Sequence, residues 1–345
     1  MKSLLVVIDG FGLRKEEHGN AFLQADTPNL DSLMKKYGYQ ELEASGPAVG
    51  LPEGYTGNSE VGHLHIGAGR IVPQRLTRIN EAIENNELRE KDALKSAFER
   101  AEEKGSTFHL AGIISDGGIH GHIDHLKALL EISSNYEVDV EIHCFADGRD
   151  VDPKSAEKYI SQIESWTKKY GGSIATVMGR FYSMDRDHNW ERTHKAYDSM
   201  ALGQGFKFKN PRGAVEKAYS DGEYDYFIQP SVRENYNGME DDDEVIFYNY
   251  RADRERQIEE ELIEDKDPDD FDEPIPNFTG MFPYEKGLKA ASIFEKKIVE
   301  NTLGEEIAEK GLKQLRVAES QKKPHVTYFF NGQRELKFEG EDRRF

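Results

Sequence analysis

The chain has 345 residues, of which 65 are acidic and 45 basic, so its net charge at pH 7 is −20. This acidic balance disfavours a nucleic-acid or membrane-surface partner, because phosphate groups attract positive charge, but it allows a locally basic pocket for a small anion. The single cysteine excludes an intrachain disulfide, and no apolar run reaches the roughly 18 residues of a membrane span, so we expect a cytoplasmic protein of about two domains.

Short β-branched runs alternate with amphipathic stretches along the chain. The runs that predict buried strands are residues 4–8, 107–114, 138–145, 174–178 and 245–250. Apolar residues at helical spacing follow two of these runs, at residues 126–133 and 159–166. This alternation predicts an α/β fold in which parallel sheets are flanked by helices, and the acidic run at 264–272 predicts a solvated loop.

Polar residues follow each predicted strand, at the edge where open parallel sheets bind ligands. Each of these residues taken alone is typical of an ordinary loop, but their arginines together predict an anion pocket. A guanidinium fork matches a carboxylate or phosphate bidentately. Arg251 and Arg254 are three apart at a predicted helix start, so both could face one ligand. The arginines at or near strand ends are Arg149, Arg180, Arg186, Arg251 and Arg254.

Ser59 lies between small residues in the segment Gly-Asn-Ser-Glu-Val-Gly-His, residues 57–63. It could simply cap the following helix, or it could be a nucleophile activated by a base or a metal. A helix that begins at Ser59 would favour a bound phosphate at its N-terminus. Asp9, after the first predicted strand, is either an Asx-turn residue or a hard ligand for a metal such as manganese.

A second group of polar residues is the string His-Gly-His-Ile-Asp-His at 120–125. It resembles the binuclear zinc signature of metallo-β-lactamase-like hydrolases, in which His122, Asp124 and His125 would bind metal. Those folds need further His and Asp ligands at later strand ends, where this chain has arginines instead. The alternative is that His120 faces the substrate while residues 122–125 begin a helix.

Many longer segments occur in a fixed order from one end of the chain to the other. Together they resemble the cofactor-independent, or 2,3-bisphosphoglycerate-independent, phosphoglycerate mutases of the alkaline phosphatase superfamily. The only noted change within the first segment is Phe11, where these enzymes usually have tryptophan. The segments are 7–12, 50–54, 57–63, 66–70, 115–120, 146–150, 179–186, 249–254 and 317–320, with Lys322 and 325–332 following.

The resemblance implies an alkaline-phosphatase-like parallel-sheet domain at 1–75 and 293–345, with an α/β phosphotransferase domain inserted at 76–292. It implies interconversion of 2-phosphoglycerate and 3-phosphoglycerate in glycolysis and gluconeogenesis, through a phosphoserine formed on Ser59. Asp9 and Ser59 would bind one of two Mn²⁺ ions. The residues implied to bind phosphoglycerate are His120, Arg149, Asp150, Arg180, Arg186, Arg251, Arg254 and Lys322.

Some metal ligands that the resemblance implies are not found in this sequence. Family members carry an Asp-x-x-x-His motif, an Asp-His pair before Gly-Asn and a later histidine as metal ligands, and none of these follows Lys322. We therefore expect a phosphatase-like domain without its C-terminal part, which is either lost, encoded as a separate polypeptide or missing through an error in gene calling. A sheet formed only by the N-terminal piece and a return at 316–330 would expose an unpaired edge. The alternative to an enzyme is a catalytically inactive module that binds phosphoglycerate or has a regulatory role.

Overall fold

The structure is a computed structural model that describes residues 3–263, 274–284 and 290–345. The chain forms two compact units. Unit 1 consists of Met1–Thr77 and Lys297–Phe345, and unit 2 consists of Arg78–Lys296. Naming these units a phosphatase-like domain and a phosphotransferase domain stays a prediction.

The described residues contain twelve α-helices, ten strands and several shorter turns. The helices are α1 (Ala21–Gln24), α2 (Pro28–Tyr37), α3 (Ser59–Ala68), α4 (Arg75–Glu84), α5 (Asp92–Lys104), α6 (Ile123–Ser133), α7 (Ala156–Tyr170), α8 (Arg180–Ser183), α9 (Trp190–Ala201), α10 (Pro211–Ser220), α11 (Arg256–Ile263) and α12 (Leu303–Glu309). The strands are β1 (Phe108–Ile113), β2 (Val140–Ala146), β3 (Ser173–Gly179), β4 (Phe206–Phe208), β5 (Ser231–Arg233), β6 (Glu244–Phe247), β7 (Asn277–Gly280), β8 (Ala291–Ser292), β9 (Gln314–Val317) and β10 (Glu341–Arg344). Turns of 3₁₀ helix lie at Gly46–Val49, Leu88–Glu90, Asp225–Phe227 and Ser320–Lys322, and a π-helical turn lies at His325–Phe329.

Unit 2 is built on an eight-stranded sheet with the order β4-β5-β3-β2-β1-β6-β7-β8. Every pairing is parallel except that of β3 with β5. Helices α6 and α7 connect β1 to β2 and β2 to β3, as parallel neighbours require. Every residue of β1 is buried, and His109 is its one polar side chain. The α/β class and the four predicted strands between residues 107 and 250 are confirmed, with slightly different bounds.

The helix predictions in unit 2 are also confirmed. Helix α6 buries Leu126, Leu129 and Leu130, and α7 buries Tyr159, Ile160 and Ile163. A large cluster of buried aromatic and aliphatic side chains, including Phe145 and Phe247, packs between the sheet, α9 and α11. The predicted loop at 264–272 lies outside the described residues. None of the described helices combines the length and apolar composition needed to cross a bilayer.

Unit 1 has little sheet. Its described strands are β9 and β10, which pair in parallel with each other. The predicted buried strand at residues 4–8 is wrong: this segment forms no strand, and Leu4 is 87% exposed. A strand needs a hydrogen-bonded neighbour, and no described strand pairs with this segment. The predicted return at 316–330 is strand only to Val317, because the chain then turns into the helical segments around Lys322 and His325.

Candidate active site

Ser59 is the first residue of α3, so it lies within the helix and is not its N-cap. The helix is capped by Asn58, whose Oδ1 accepts a hydrogen bond from the Val61 N–H at 3.0 Å. A side chain could not replace the hydrogen of Gly57, because a Cβ there would lie 1.9 Å from the Ala44 carbonyl oxygen. This close approach of two backbone segments fixes the turn that presents Ser59 at the positive end of the helix.

Asp9 holds the Ser59 hydroxyl although the two residues are fifty positions apart. The Ser59 Oγ lies 2.7 Å from both carboxylate oxygens of Asp9, and the Lys322 ammonium donates to Asp9 Oδ2. These hydrogen bonds, first from Lys322 and then from Ser59, lower the pKa of Asp9 to about 2. So weak a base orients the hydroxyl but does not remove its proton near neutral pH.

Two histidines border this trio, and sequence analysis assigned no role to either. The His63 Nδ1 lies 2.7 Å from the Ser59 carbonyl oxygen, and the rings of His63 and His325 meet edge to face at 5.2 Å. Burial, followed by the charges of His63 and Lys322, lowers the pKa of His325. Gly67 permits this packing, because a Cβ there would lie 2.0 Å from the Phe330 carbonyl oxygen.

The Asp9 carboxylate and the Ser59 hydroxyl are hard oxygen donors, which suit Mn²⁺ or a similar cation. They therefore fit a metal as two of its ligands. Within the described residues, no cluster of three or more His, Cys, Asp or Glu side chains includes Asp9. The assignment of Asp9 and Ser59 as metal ligands stays a prediction.

Unit 2 gathers most of the predicted phosphoglycerate ligands, and Arg180 is the most deeply buried of them. Its side chain is 1% exposed, and its Nη1 lies 2.7 Å from Asp147 Oδ1 and 2.5 Å from Asp150 Oδ2. Asp147 also accepts hydrogen bonds from the Ser115 hydroxyl and the Arg149 N–H. Arg149 itself is exposed and lies over the ring of Tyr226. The turns after β2 and β3 are therefore joined by buried ion pairs.

Arg186 and Arg251 share one carboxylate. Arg186 Nη1 lies 3.0 Å from Asp253 Oδ2, and Arg251 Nε lies 2.9 Å from Asp253 Oδ1. Arg254 is buried and donates to the Met184 carbonyl oxygen at 3.0 Å. Its pKa is lowered by burial and then by the neighbouring guanidinium groups of Arg180, Arg186 and Arg149. The positive charges of Arg149, Arg180 and Arg186 thus act electrostatically on Arg254.

The prediction that Arg251 and Arg254 share the start of a helix is wrong. Helix α11 begins at Arg256, and both residues lie in the turn before it. The Glu255 side chain explains the delay, because its Oε2 accepts the Arg254 N–H at 2.9 Å and so competes with helix formation. Arg251 is exposed there whereas Arg254 is buried.

His120 faces two acids, Asp253 and Glu255, which lie in the turn before α11. Its Nδ1 lies 3.4 Å from Glu255 Oε1 and 3.9 Å from Asp253 Oδ1. Of the described residues, this trio forms the one group of three side chains whose composition and spacing could hold a metal ion. Sequence analysis missed both acids, although their alternation with arginines at 251–255 could have indicated paired charges.

The zinc-hydrolase alternative has no support in the geometry. His122 caps α6, its Nδ1 accepting the Asp124 N–H at 3.2 Å, so the expected helix start is confirmed. His125 is fully buried, with its Nε2 at 3.1 Å from Asn80 Oδ1, and burial lowers its pKa to about 3. Within the described part of the chain, these residues belong to no cluster able to hold a metal.

Seven of the eight predicted phosphoglycerate ligands lie in unit 2, while Lys322 lies in unit 1 on Asp9. Their assignment as ligands stays a prediction.

Comparisons with known proteins agree with one another. The family described as BPG-independent PGAM N-terminus (iPGM_N) matches residues 79–286. The 2,3-bisphosphoglycerate-independent phosphoglycerate mutases of Clostridium beijerinckii and Staphylococcus epidermidis are each 46% identical to this chain, over 99% of its length and 68% of theirs. A crystal structure of Leishmania mexicana phosphoglycerate mutase at low cobalt concentration is 28% identical, with a TM-score of 0.74, over 98% of this chain and 66% of that one.

The chain therefore spans about two thirds of the length of these relatives. A sequence identity of 46% over nearly the whole chain shows that it shares ancestry with these enzymes. The chain belongs to the 2,3-bisphosphoglycerate-independent phosphoglycerate mutase family.

Proposed function

We propose that this chain supplies Ser59 as the phosphoryl acceptor in the interconversion of 2-phosphoglycerate and 3-phosphoglycerate. The observation that carries the proposal is the Ser59 hydroxyl, held at 2.7 Å by Asp9 at the N-terminus of α3. The names of its relatives, all phosphoglycerate mutases, support the same reaction. We also propose that the enzyme acts in the cytoplasm, where glycolysis and gluconeogenesis operate.

In this proposal the Ser59 oxygen attacks the substrate phosphorus, and the bond from phosphorus to the glycerate oxygen breaks. A phosphoserine and glycerate result. The other glycerate hydroxyl then attacks the phosphoserine, the phosphoryl group leaves Ser59, and the isomeric phosphoglycerate forms. Asp9 orients the serine hydroxyl, and the helix N-terminus favours the negative phosphoryl group.

A Mn²⁺ ion would be held in part by Asp9 and Ser59. When bound, such an ion lowers the pKa of a coordinated hydroxyl and offsets the negative charge of the phosphoryl group. Asp9 is too weak a base to activate the serine alone, so activation from another source is needed. The remaining ligands and a second Mn²⁺ would come from the part of the relatives that this chain does not match.

Unit 2 would bind the organic part of the substrate. Its exposed guanidinium groups, Arg149, Arg186 and Arg251, offer planar forks for the carboxylate and phosphate oxygens. Arg254 and His120 lie deeper in the same cluster. The buried pairing of Arg180 with Asp147 and Asp150 would keep these turns rigid while glycerate reorients between the two transfers. In this scheme, unit 1 is the phosphatase-like domain and unit 2 the phosphotransferase domain.

The test is a coupled assay of 3-phosphoglycerate conversion by the full chain with Mn²⁺. One arm contains the chain alone, and another adds a polypeptide that corresponds to the unmatched part of the Clostridium beijerinckii relative. We expect no measurable turnover in the first arm and turnover in the second. Binding of phosphoglycerate with no turnover in either arm would contradict the proposal and favour an inactive binding module.

A further inference from the structure

Glu255 is a fully buried acid to which the proposed reaction assigns no role. Its side chain is 0% exposed, and both carboxylate oxygens accept hydrogen bonds from the surrounding turn. Oε2 accepts the Arg254 N–H at 2.9 Å, and Oε1 accepts the Asn249 Nδ2 at 3.1 Å. A buried charge is costly unless it is paired, so this carboxylate must have a charged or strongly polar partner.

The orientation of Asn249 is set by the sheet. Its Oδ1 accepts the Ile113 N–H at 2.9 Å, at the end of β1, so its NH₂ group is the end that faces Glu255. Gly121 leaves space for this amide, because a Cβ there would lie 2.6 Å from Asn249 Oδ1. The carboxylate of Glu255 is thus held at a fixed place relative to the end of β1.

His120 is the remaining neighbour of Glu255 Oε1. Its ring is 4% exposed, and Nδ1 lies 3.4 Å from that oxygen and 3.9 Å from Asp253 Oδ1. The backbone of His120 is also fixed, because its carbonyl oxygen accepts the Tyr250 N–H at 2.7 Å. Nδ1 makes no hydrogen bond within the described residues, so its contacts with the two acids are ion-pair contacts only, and no described residue bonds Nε2.

We propose that Glu255 is a positioning residue that keeps the proton of His120 on Nδ1 and thereby presents Nε2 to the ligand. A nitrogen that faces a carboxylate carries the proton, and the protonation of one ring nitrogen determines what the other can do. With Nδ1 protonated, a neutral His120 offers the Nε2 lone pair to a hydroxyl group. This inference rests on the proposed function, in which that hydroxyl belongs to phosphoglycerate.

A metal ion is the rival occupant of the space between His120, Asp253 and Glu255. The charges around the trio disfavour it. Arg186 and Arg251 already bind the Asp253 carboxylate, and the Arg254 guanidinium lies close enough to Arg186 to lower its own pKa. A divalent cation would be repelled by these guanidinium groups and would have to displace two ion pairs.

The first test reads the His120 tautomer by ¹⁵N-histidine NMR of the full chain at pH 8, with a His120→Gln variant for assignment. We expect the proton on Nδ1 in the wild-type chain and a shift toward Nε2 in Glu255→Ala. The matched control is Glu244→Gln, which removes another fully buried carboxylate of unit 2, paired with Arg100, and should leave His120 unchanged. A wild-type His120 protonated on Nε2 would overturn the proposal, whether or not any variant folds.

The same spectra test the rival. Added zinc chloride should leave the His120 ring signals in place, and a stoichiometric shift of Nδ1 would overturn the proposal in favour of a metal site. A third measurement is the affinity for 3-phosphoglycerate by calorimetry. Glu255→Ala should weaken binding about tenfold, while Glu255→Gln, which keeps an acceptor oxygen, should restore most of it. An unchanged affinity in Glu255→Ala would refute the positioning role.

Failure of the proposed function gives a different result. In that case the wild-type chain binds no phosphoglycerate, while the tautomer of His120 still reports on Glu255 without any ligand.

Discussion

Units 1 and 2 differ most in what covers their apolar segments. In unit 2 the strand β1 lies between two neighbours, and Leu110 is 0% exposed. In unit 1 the equally apolar segment at residues 4–8 has no strand neighbour, and Leu5 is 59% exposed. Apolar composition is therefore insufficient to make a strand, which also needs partners on its edges.

The two candidate site regions differ in the same way. In unit 2 the most deeply buried arginine, Arg180, is 1% exposed and pairs with the buried Asp147. In unit 1 the trio of Asp9, Ser59 and Lys322 is partly exposed, with a quarter of the Asp9 side chain accessible to solvent. Charged contacts are worth less where water competes, so the unit 1 trio depends more on added partners.

The largest expected effect is a loss of catalytic turnover that leaves folding unchanged. Ser59→Ala removes the proposed phosphoryl acceptor and should lower mutase turnover of the complemented enzyme by about a thousandfold or more. Phosphoglycerate binding and the folding of unit 2 should not change. The measurement is the coupled assay together with calorimetry, and Ser161→Ala on α7 is the control. Turnover of the Ser59 variant within tenfold of wild type would show that the acceptor is another residue.

The next effect concerns the stability of the two apolar segments. Leu110→Ala should reduce the free energy of unfolding by about 2–5 kcal/mol, because it leaves a cavity in the sheet core. Leu5→Ala should change it by less than about 0.5 kcal/mol, because most of that side chain is already in water. Both tryptophans, Trp166 and Trp190, lie in unit 2, so urea unfolding followed by their fluorescence reports on that unit. Far-UV circular dichroism covers the whole chain, and equal losses in the two variants would mean that residues 4–8 are packed in solution.

A pH effect on stability is expected from the buried His125 of unit 2. Burial lowers the pKa of His125 from 6.5 to about 3, so below pH 6.5 the unfolded chain binds the proton that the folded chain excludes. The contribution of the neutral His125 ring to the free energy of unfolding is complete above pH 6.5. It is lost as the pH falls towards 3, at a rate approaching about 1.4 kcal/mol per pH unit.

The measurement is the unfolding free energy from tryptophan fluorescence between pH 7.5 and 5. His125→Gln should flatten the slope by close to one proton, whereas the exposed His194→Gln should have little effect on it. Identical slopes for wild type and His125→Gln would show that His125 is not buried neutral.

The smallest expected effect tests the arginine cluster. Replacing Arg254 with lysine keeps the charge but loses the planar fork, so the affinity for 3-phosphoglycerate should fall about tenfold. Arg251→Lys should have a similar or smaller effect, because Arg251 is exposed and its partner Asp253 is shared with Arg186. Arg212→Lys, which alters an ion pair with Glu164, is the control in calorimetry. Unchanged affinity in both variants would place these arginines outside the binding site.

The sequence by itself determined the features that depend on neighbours in the chain. The order of strands and helices in unit 2 follows from apolar periodicity. The motifs were also sufficient to identify the family, because so many long segments very rarely match in the same order by chance.

Only the tertiary structure decided the features that depend on distant partners. Residues 4–8 read as a strand from composition, but strand formation required a neighbour that the described residues do not provide. Asp9 reaches Ser59 and Lys322 across 50 and 313 positions, and Glu255 and Asp253 face His120 and Arg186 from distant parts of the chain. Local spacing fixes which face a side chain occupies, whereas hydrogen bonding and charge pairing between remote segments depend on how the whole chain folds back on itself.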